Sequence, residues 1–291
     1  NDLALIGGET EKALVEADIS KESYGSAKFQ AYLGRRIKEI TEKVAKNENG
    51  KFTERFGREF TRATYNRADL VLTPSLAMKK ILKKQGVKTR VEVMSNGIDY
   101  NFFKEKSDYR IKNKIVHIGR LGHEKNVDVV IRAFSLALKK NPKLTLDIMG
   151  DGPSKKSLQN LAKSLGLHKE IKFWGAYDLK EVSKKLCEYD FFVTASTIET
   201  QGLVILEAMS AGLPVLGVDK LALPEIIKDG QNGYLSKPFD VGGMANNMLR
   251  LLESDERLEK FGKKSLLIAK KHEITKCKDR LFKFYKQIAK K

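Results

Sequence analysis

From residue 115 onward, short apolar runs alternate with stretches of helical periodicity. Residues 115–118 form a short apolar run that predicts a strand. Residues 126–140 carry Val129, Val130, Ala133, Phe134 and Ala137 at helical spacing. The alternation continues with strands predicted at 144–149, 171–174, 191–195, 214–218 and 234–235. Helices are predicted at 154–165, 179–188, 202–211 and around 224–228. Apolar runs of strand length separated by helices read as βαβ units building a parallel sheet. Such a sheet binds its ligand outside the carboxyl ends of its strands. The loops after Ile118, Met149, Trp174, Ala195 and Val218 are therefore the places to look for chemistry.

The first hundred residues are less regular. Residues 24–46 and 52–67 read as basic helices, 70–73 and 90–94 as strands, and 75–84 as a helix between them. This is a βαβ fragment with a helical preface, short of the five or more strands of a doubly wound domain. A polar stretch at 104–113 marks the division. The expected organisation is a partial N-terminal domain with basic helices over 1–106 and a Rossmann-like domain over 107–275. A final helix over 276–291 returns towards the first domain. Basic helices are predicted at 255–271 and 275–290.

Composition adds one strong signal. The chain of 291 residues has a net charge of +18, which implies attraction to an anionic partner such as nucleic acid, an acidic membrane or a phosphorylated substrate. No apolar run approaches the roughly 20 residues of a spanning helix, and residues 1–16 lack the pattern of a secretory signal. Cys187 and Cys277 have no metal-binding spacing, so a cytoplasmic address is expected.

The candidate chemistry sits in three of the predicted loops. Gly119-Arg120-Leu121-Gly122-His123-Glu124-Lys125 follows the strand at 115–118 and leads into a helix. Glycine permits a tight turn there, the helix start offers free N–H groups, and Arg120 and Lys125 supply the cations suited to a diphosphate. A basic surface loop would look the same. Gly150-Asp151-Gly152-Pro153 follows the next strand, either as a second ligand loop or as a plain turn into a helix. Trp174 and Tyr177 flank Gly175, either near a base or in the core. The most informative segment is Glu199-Thr200-Gln201-Gly202-Leu203-Val204-Ile205-Leu206-Glu207. It places one carboxylate in a loop and a second one and a half turns into a helix, where they can address two parts of an extended ligand. The amides of Gly202 and Leu203 open that helix. Read singly, each glutamate is equally a dipole-complementing or exposed side chain.

Taken together and in order, these segments resemble the retaining GT-B glycosyltransferases of glycosyltransferase family 4. The resemblance runs from about residue 56 to 252. It is carried by Ser95-Asn96-Gly97-Ile98-Asp99, Gly119-Arg120-Leu121 with Glu124-Lys125, Gly150-Asp151-Gly152-Pro153, Glu199 to Glu207, Ala211-Gly212-Leu213-Pro214-Val215 and Asn232-Gly233-Tyr234. It implies an α/β fold of GT-B type, with two Rossmann-like domains of which the N-terminal one is incomplete. It also implies a hexosyltransferase that draws on a nucleoside-diphosphate sugar, UDP-linked by preference, with no cofactor and no metal. On that reading Arg120 and Lys125 hold the diphosphate and Glu199 lies at the sugar. Glu207 binds the ribose hydroxyls, and Gly119, Gly150, Thr200, Gln201, Gly202 and Leu203 complete the donor site.

Family members with Glu-Thr-Gln-Gly-Leu include synthases of glycosyl diacylglycerols. That implies a lipid or lipid-linked acceptor and a peripheral position on an anionic membrane, with residues 24–46 as a docking helix. The histidine that such enzymes carry in the N-terminal domain has no counterpart, since His117, His123, His168 and His272 all fall later. Two other readings stand beside this one, an inactive nucleotide-sugar-binding module and a basic nucleic-acid-binding protein. The second lacks a recognisable binding motif, so nucleic acid is not an expected partner.

Overall fold

The structure, a computed structural model, describes residues 50–289. The helix expected over 24–46 lies outside the described residues. The chain forms two units, Asn1–Thr64 and Tyr65–Lys291. Of the first, the helix α1 (Gly50–Tyr65) is described.

The second unit begins with β1 (Val71–Thr73), α2 (Leu76–Lys84) and β2 (Val91–Val93), a parallel βαβ fragment as expected. Ser75 caps α2 by accepting from the Met78 amide at 3.3 Å. The larger sheet follows as β3 (Lys114–Ile118), α3 (Val127–Leu138), β4 (Thr145–Met149), α4 (Lys155–Ser164) and β5 (Ile171–Gly175). It continues as α5 (Leu179–Lys185), β6 (Phe191–Val193), α6 (Leu203–Ser210), β7 (Val215–Val218), α7 (Leu223–Ile226) and β8 (Gly233–Ser236). All six strands are parallel, in the order β5-β4-β3-β6-β7-β8. β3, β6 and β7 are buried on both faces, which accounts for their near-continuous apolar runs, while the edge strand β5 exposes Lys172 and Trp174. Three helices close the chain, α8 (Val241–Leu251), α9 (Asp255–Ala269) and α10 (Ile274–Ile288).

α8 is the element that the periodicity did not predict. Gly242, Gly243, Asn246 and Asn247 depress its helix propensity. It forms because Asp240 caps it through the Gly243 amide at 2.8 Å and because Met244, Ala245, Met248 and Leu251 are buried, with α8 packed on α3. Trp174 also departs from the core-packing alternative. Its ring stays 38% exposed, with the ammonium groups of Lys172 and Lys185 at 3.6 and 4.5 Å from its centre.

The sheet reverses direction between β3 and β6, since the chain moves outward through β4 and β5 and then returns to the other side of β3. A crevice opens at the carboxyl ends of strands at such a switch point. The loops there are held by close backbone approach. Gly119 N donates to Met149 O at 3.0 Å, Gly150 N to Gly175 O at 2.8 Å, and Leu121 N to Asp151 O at 2.9 Å. A Cβ on Gly150, whose φ is +150°, would lie 1.8 Å from the Gly119 carbonyl oxygen. Gly150→Ala must therefore displace backbone, and we expect it to cost more than about 2 kcal/mol and to spoil the first loop. Gly166→Ala, at φ +74° with no atom within 4 Å, should cost about 1–2 kcal/mol from backbone strain alone. Equal melting temperatures for the two variants would contradict this account.

Candidate donor site

The loop after β3 turns through Gly119 and delivers Arg120, Glu124 and Lys125 before α3 begins. Asn126 stands at the entry to α3 with φ +50°, a conformation that asparagine tolerates better than most residues. Its amide nitrogen donates to Ala195 O at 3.1 Å and lies 3.3 Å from Thr197 Oγ1, pinning the loop after β6 to the loop after β3. Sequence reasoning passed over Asn126, whose one visible signal was its place at a helix start.

That pinning brings Lys125 and Glu199 together across 74 residues of chain. Lys125 Nζ donates to Glu199 Oε1 at 2.6 Å, with the two side chains 23% and 18% exposed. A pair this shielded is more than a surface contact, and it sits at the β3/β6 switch point. The Glu199 carbonyl accepts from the Ala222 amide at 3.2 Å, which ties the same loop to the start of α7. Arg120 is placed differently. Its side chain is 67% exposed and makes a solvent-facing pair with Glu124 at 3.2 Å. Thr200 is exposed beside the pair.

Gly202 precedes α6 in the left-handed region, φ +81°, which glycine accepts without strain. The first backbone bonds of α6 run from Ile205 and Leu206 to Gly202 O. The amides of Gly202 and Leu203 have no partner among the described residues, so two donors remain available at this helix start. Gln201 is occupied instead. Its amide nitrogen donates to Ser95 Oγ at 2.6 Å and its carbonyl oxygen accepts from Asn96 N at 3.1 Å, fastening the site to the Ser95-Asn96-Gly97 turn.

Glu207 lies on the second turn of α6, half-buried rather than exposed. Its carboxylate has no hydrogen-bond or ion-pair partner among the described residues. Burial alone raises its pKa above the ordinary carboxylate value. Its charge is felt at Tyr177, whose pKa is raised first by burial and then by Glu207. A desolvated carboxylate without a partner costs stability, and such groups mark sites where a ligand completes the bonding.

The remaining motif pieces hold the fold together. Asn232 is fully buried and accepts from Lys228 N at 2.7 Å. The space above Gly97 is filled by Ile274. Glu225 on α7, which sequence reasoning did not single out, accepts from Leu76 N and Ala77 N at 2.8 and 2.6 Å and so caps α2. Beside it a cavity of about 290 Å³ is lined by Ser75, Ser95, Gln201, His272 and Arg280, among others.

A doubly wound parallel sheet with a polar crevice at its switch point is the architecture of one Rossmann-like domain of the GT-B fold. The family model for Glycosyl transferases group 1 matches residues 100–266, and the chain belongs to that family. The model for Glycosyltransferase Family 4 matches residues 41–102. Among curated proteins, the sulfoquinovosyl transferase of Arabidopsis thaliana is 32% identical over 218 residues, covering 69% of this chain and 41% of that protein. Alpha-monoglucosyldiacylglycerol synthase of Streptococcus pneumoniae is 30% identical over 181 residues, covering 57% of this chain and 41% of its own. The chain thus spans about two fifths of the length of these relatives. Among solved structures, HepE of Anabaena in complex with UDP-glucose aligns with a TM-score of 0.73 at 22% identity, covering 82% of this chain and 70% of that one. Pneumococcal O-GlcNAc transferase GtfA with UDP and GlcNAc aligns at 0.70 and 24%, covering 79% and 47%. The fold is the GT-B type that the sequence implied.

Proposed function

We propose that the chain carries the donor side of a retaining glycosyltransferase, which moves a hexose from a UDP-sugar to a lipid acceptor at an anionic membrane surface. In this reading residues 107–275 bind the sugar nucleotide, 1–106 belong to the acceptor side, and the helix from 276 returns towards it. Nucleic acid has no part. The observation that carries the proposal is the crevice at the β3/β6 switch point, where the Lys125–Glu199 pair and the partnerless carboxylate of Glu207 flank the free amides of Gly202 and Leu203.

Departure of the diphosphate is the demanding step, because its terminal phosphate takes the electron pair of the anomeric C–O bond and a further negative charge develops on an already anionic leaving group. Lys125 and Arg120 neutralise that charge, and the amides of Gly202 and Leu203 add fixed dipoles. Glu199 orients the Lys125 ammonium and stands where the sugar is held. Glu207 accepts from the ribose hydroxyls, which satisfies its carboxylate. Support for UDP and for a lipid comes from the neighbours, since HepE is seen with UDP-glucose and one relative is a diacylglycerol glycolipid synthase. In this reading attachment to the bilayer is peripheral, and among the described residues no helix is long and apolar enough to cross a membrane.

The test is calorimetric titration with UDP, GDP and their hexose conjugates, repeated on Glu207→Gln and Arg120→Ala. One nucleotide should bind, and both substitutions should weaken it. Binding of none would remove the donor-site assignment. Binding without transfer to any diacylglycerol acceptor would leave a nucleotide-sugar-binding module.

A further inference from the structure

His117 lies on β3, two residues before the Gly119 turn, and takes no part in the reading above. It is 2% exposed and stacks on Phe192 with ring centres 6.2 Å apart. Its Nδ1 lies 2.9 Å from the carbonyl oxygen of Val193, directly across the switch point. A carbonyl can only accept, so Nδ1 carries the proton. In the neutral ring Nε2 is then an acceptor with one in-plane lone pair. Burial holds the pKa down at about 4, so the ring is neutral at physiological pH. The Lys125 and Glu199 charges act on the ring in opposite senses, which places it within electrostatic reach of that pair.

Nε2 is buried and has no hydrogen-bond partner among the described residues. An apolar ring would pack on Phe192 without leaving such an orphan, and buried acceptors are rarely left unmet. Nε2 faces the Gly119 turn. An atom at the position of a Gly119 Cβ would sit 3.9 Å from Nε2 and meet no other described atom within 4 Å outside Gly119 and its two chain neighbours. A ligand that passes over the bare Gly119 backbone therefore comes next to this lone pair. A diphosphate has only acceptor oxygens to offer there. A sugar hydroxyl has the O–H that the lone pair requires.

Resting on the donor-site reading, we propose that His117 is a sugar-binding residue whose Nε2 accepts a hydrogen bond from a hydroxyl of the transferred hexose. The ring would then fix the orientation of the hexose between the Gly119 turn and the Lys125–Glu199 pair. Glycine at 119 places no side chain between that hydroxyl and Nε2.

The experiment compares wild type with His117→Phe, which keeps an aromatic ring against Phe192 and removes the acceptor. Affinities are measured for UDP and for its glucose, galactose and N-acetylglucosamine conjugates. His117→Phe should weaken the preferred UDP-hexose by about 3–10-fold, the range of one net hydrogen bond, and leave UDP within twofold. Equal loss for UDP and UDP-hexose, or no loss, overturns the proposal while the donor site stands. Wild type that binds no sugar nucleotide overturns the donor-site reading itself. Should His117→Phe not fold, the ¹⁵N resonance of Nε2 in the wild-type protein decides. It should move when UDP-hexose is added and stay in place with UDP, and an unmoved resonance in both overturns the proposal.

Discussion

Arg120→Ala should lower turnover by about 10²–10³-fold, the usual loss when one fixed donor to a developing charge is removed. Thermal stability should barely change. The Arg120 side chain is 67% exposed, and its one ion pair among the described residues, to Glu124, faces solvent. Exposed pairs of this kind contribute little to folding. An arginine that does little for the fold, at the mouth of a crevice already holding a shielded Lys125, is well placed to meet an anion when one arrives. Steady-state rates and a melting curve on the same preparation check both halves. Near-normal turnover would take Arg120 out of the mechanism, and a large fall in melting temperature would mean that the side chain has a structural task.

Glu207→Gln should weaken nucleotide binding by about 10–100-fold, the range expected for hydrogen bonds to a charged acceptor. It should also make the unliganded protein more stable. The carboxylate is desolvated and unpaired, and its pKa in the folded chain is raised by burial. The folded state therefore holds its proton to higher pH than the unfolded chain does. Stability contributed by this group is present below the unfolded value of about 4.5 and declines as pH rises through the folded value. Glutamine is neutral throughout and should abolish that part of the slope. Melting curves from pH 4 to pH 8 with and without UDP separate the two effects. A variant less stable than wild type at pH 7 would show that Glu207 has a partner in the fold.

The alternation of strands and helices was legible because β3, β6 and β7 are buried along nearly their whole length and carry near-continuous apolar runs, whereas the edge strand β5 exposes Lys172 and Trp174. α8 was not legible, because its glycines and asparagines argue against a helix that tertiary burial of Met244 and Met248 overrides. The loops after β3 and β6 stood out through their residue types, yet their mutual geometry was hidden. Nothing in the spacing of Lys125 and Glu199 announces a 2.6 Å contact, because the contact depends on strand order. Gln201 and Asn232 belong to motif segments, but their side chains serve Ser95, Asn96 and the turn at Lys228. A family motif mixes groups that meet a ligand with groups that hold the loops in place, and sequence alone does not separate them. His117 illustrates the converse. On an apolar strand it reads as filler, and only its unmet nitrogen sets it apart.

The chain contains a single tryptophan, Trp174, placed at the end of β5 with two lysine ammonium groups over its ring. Indole emission from this protein therefore originates at one address. That address lies three residues from Tyr177, which senses the charge on Glu207. Partial exposure leaves the ring open to collisional quenchers, and the flanking cations favour iodide over neutral acrylamide. The molecule thus carries a built-in optical reporter at the carboxyl end of β5, with no label to attach.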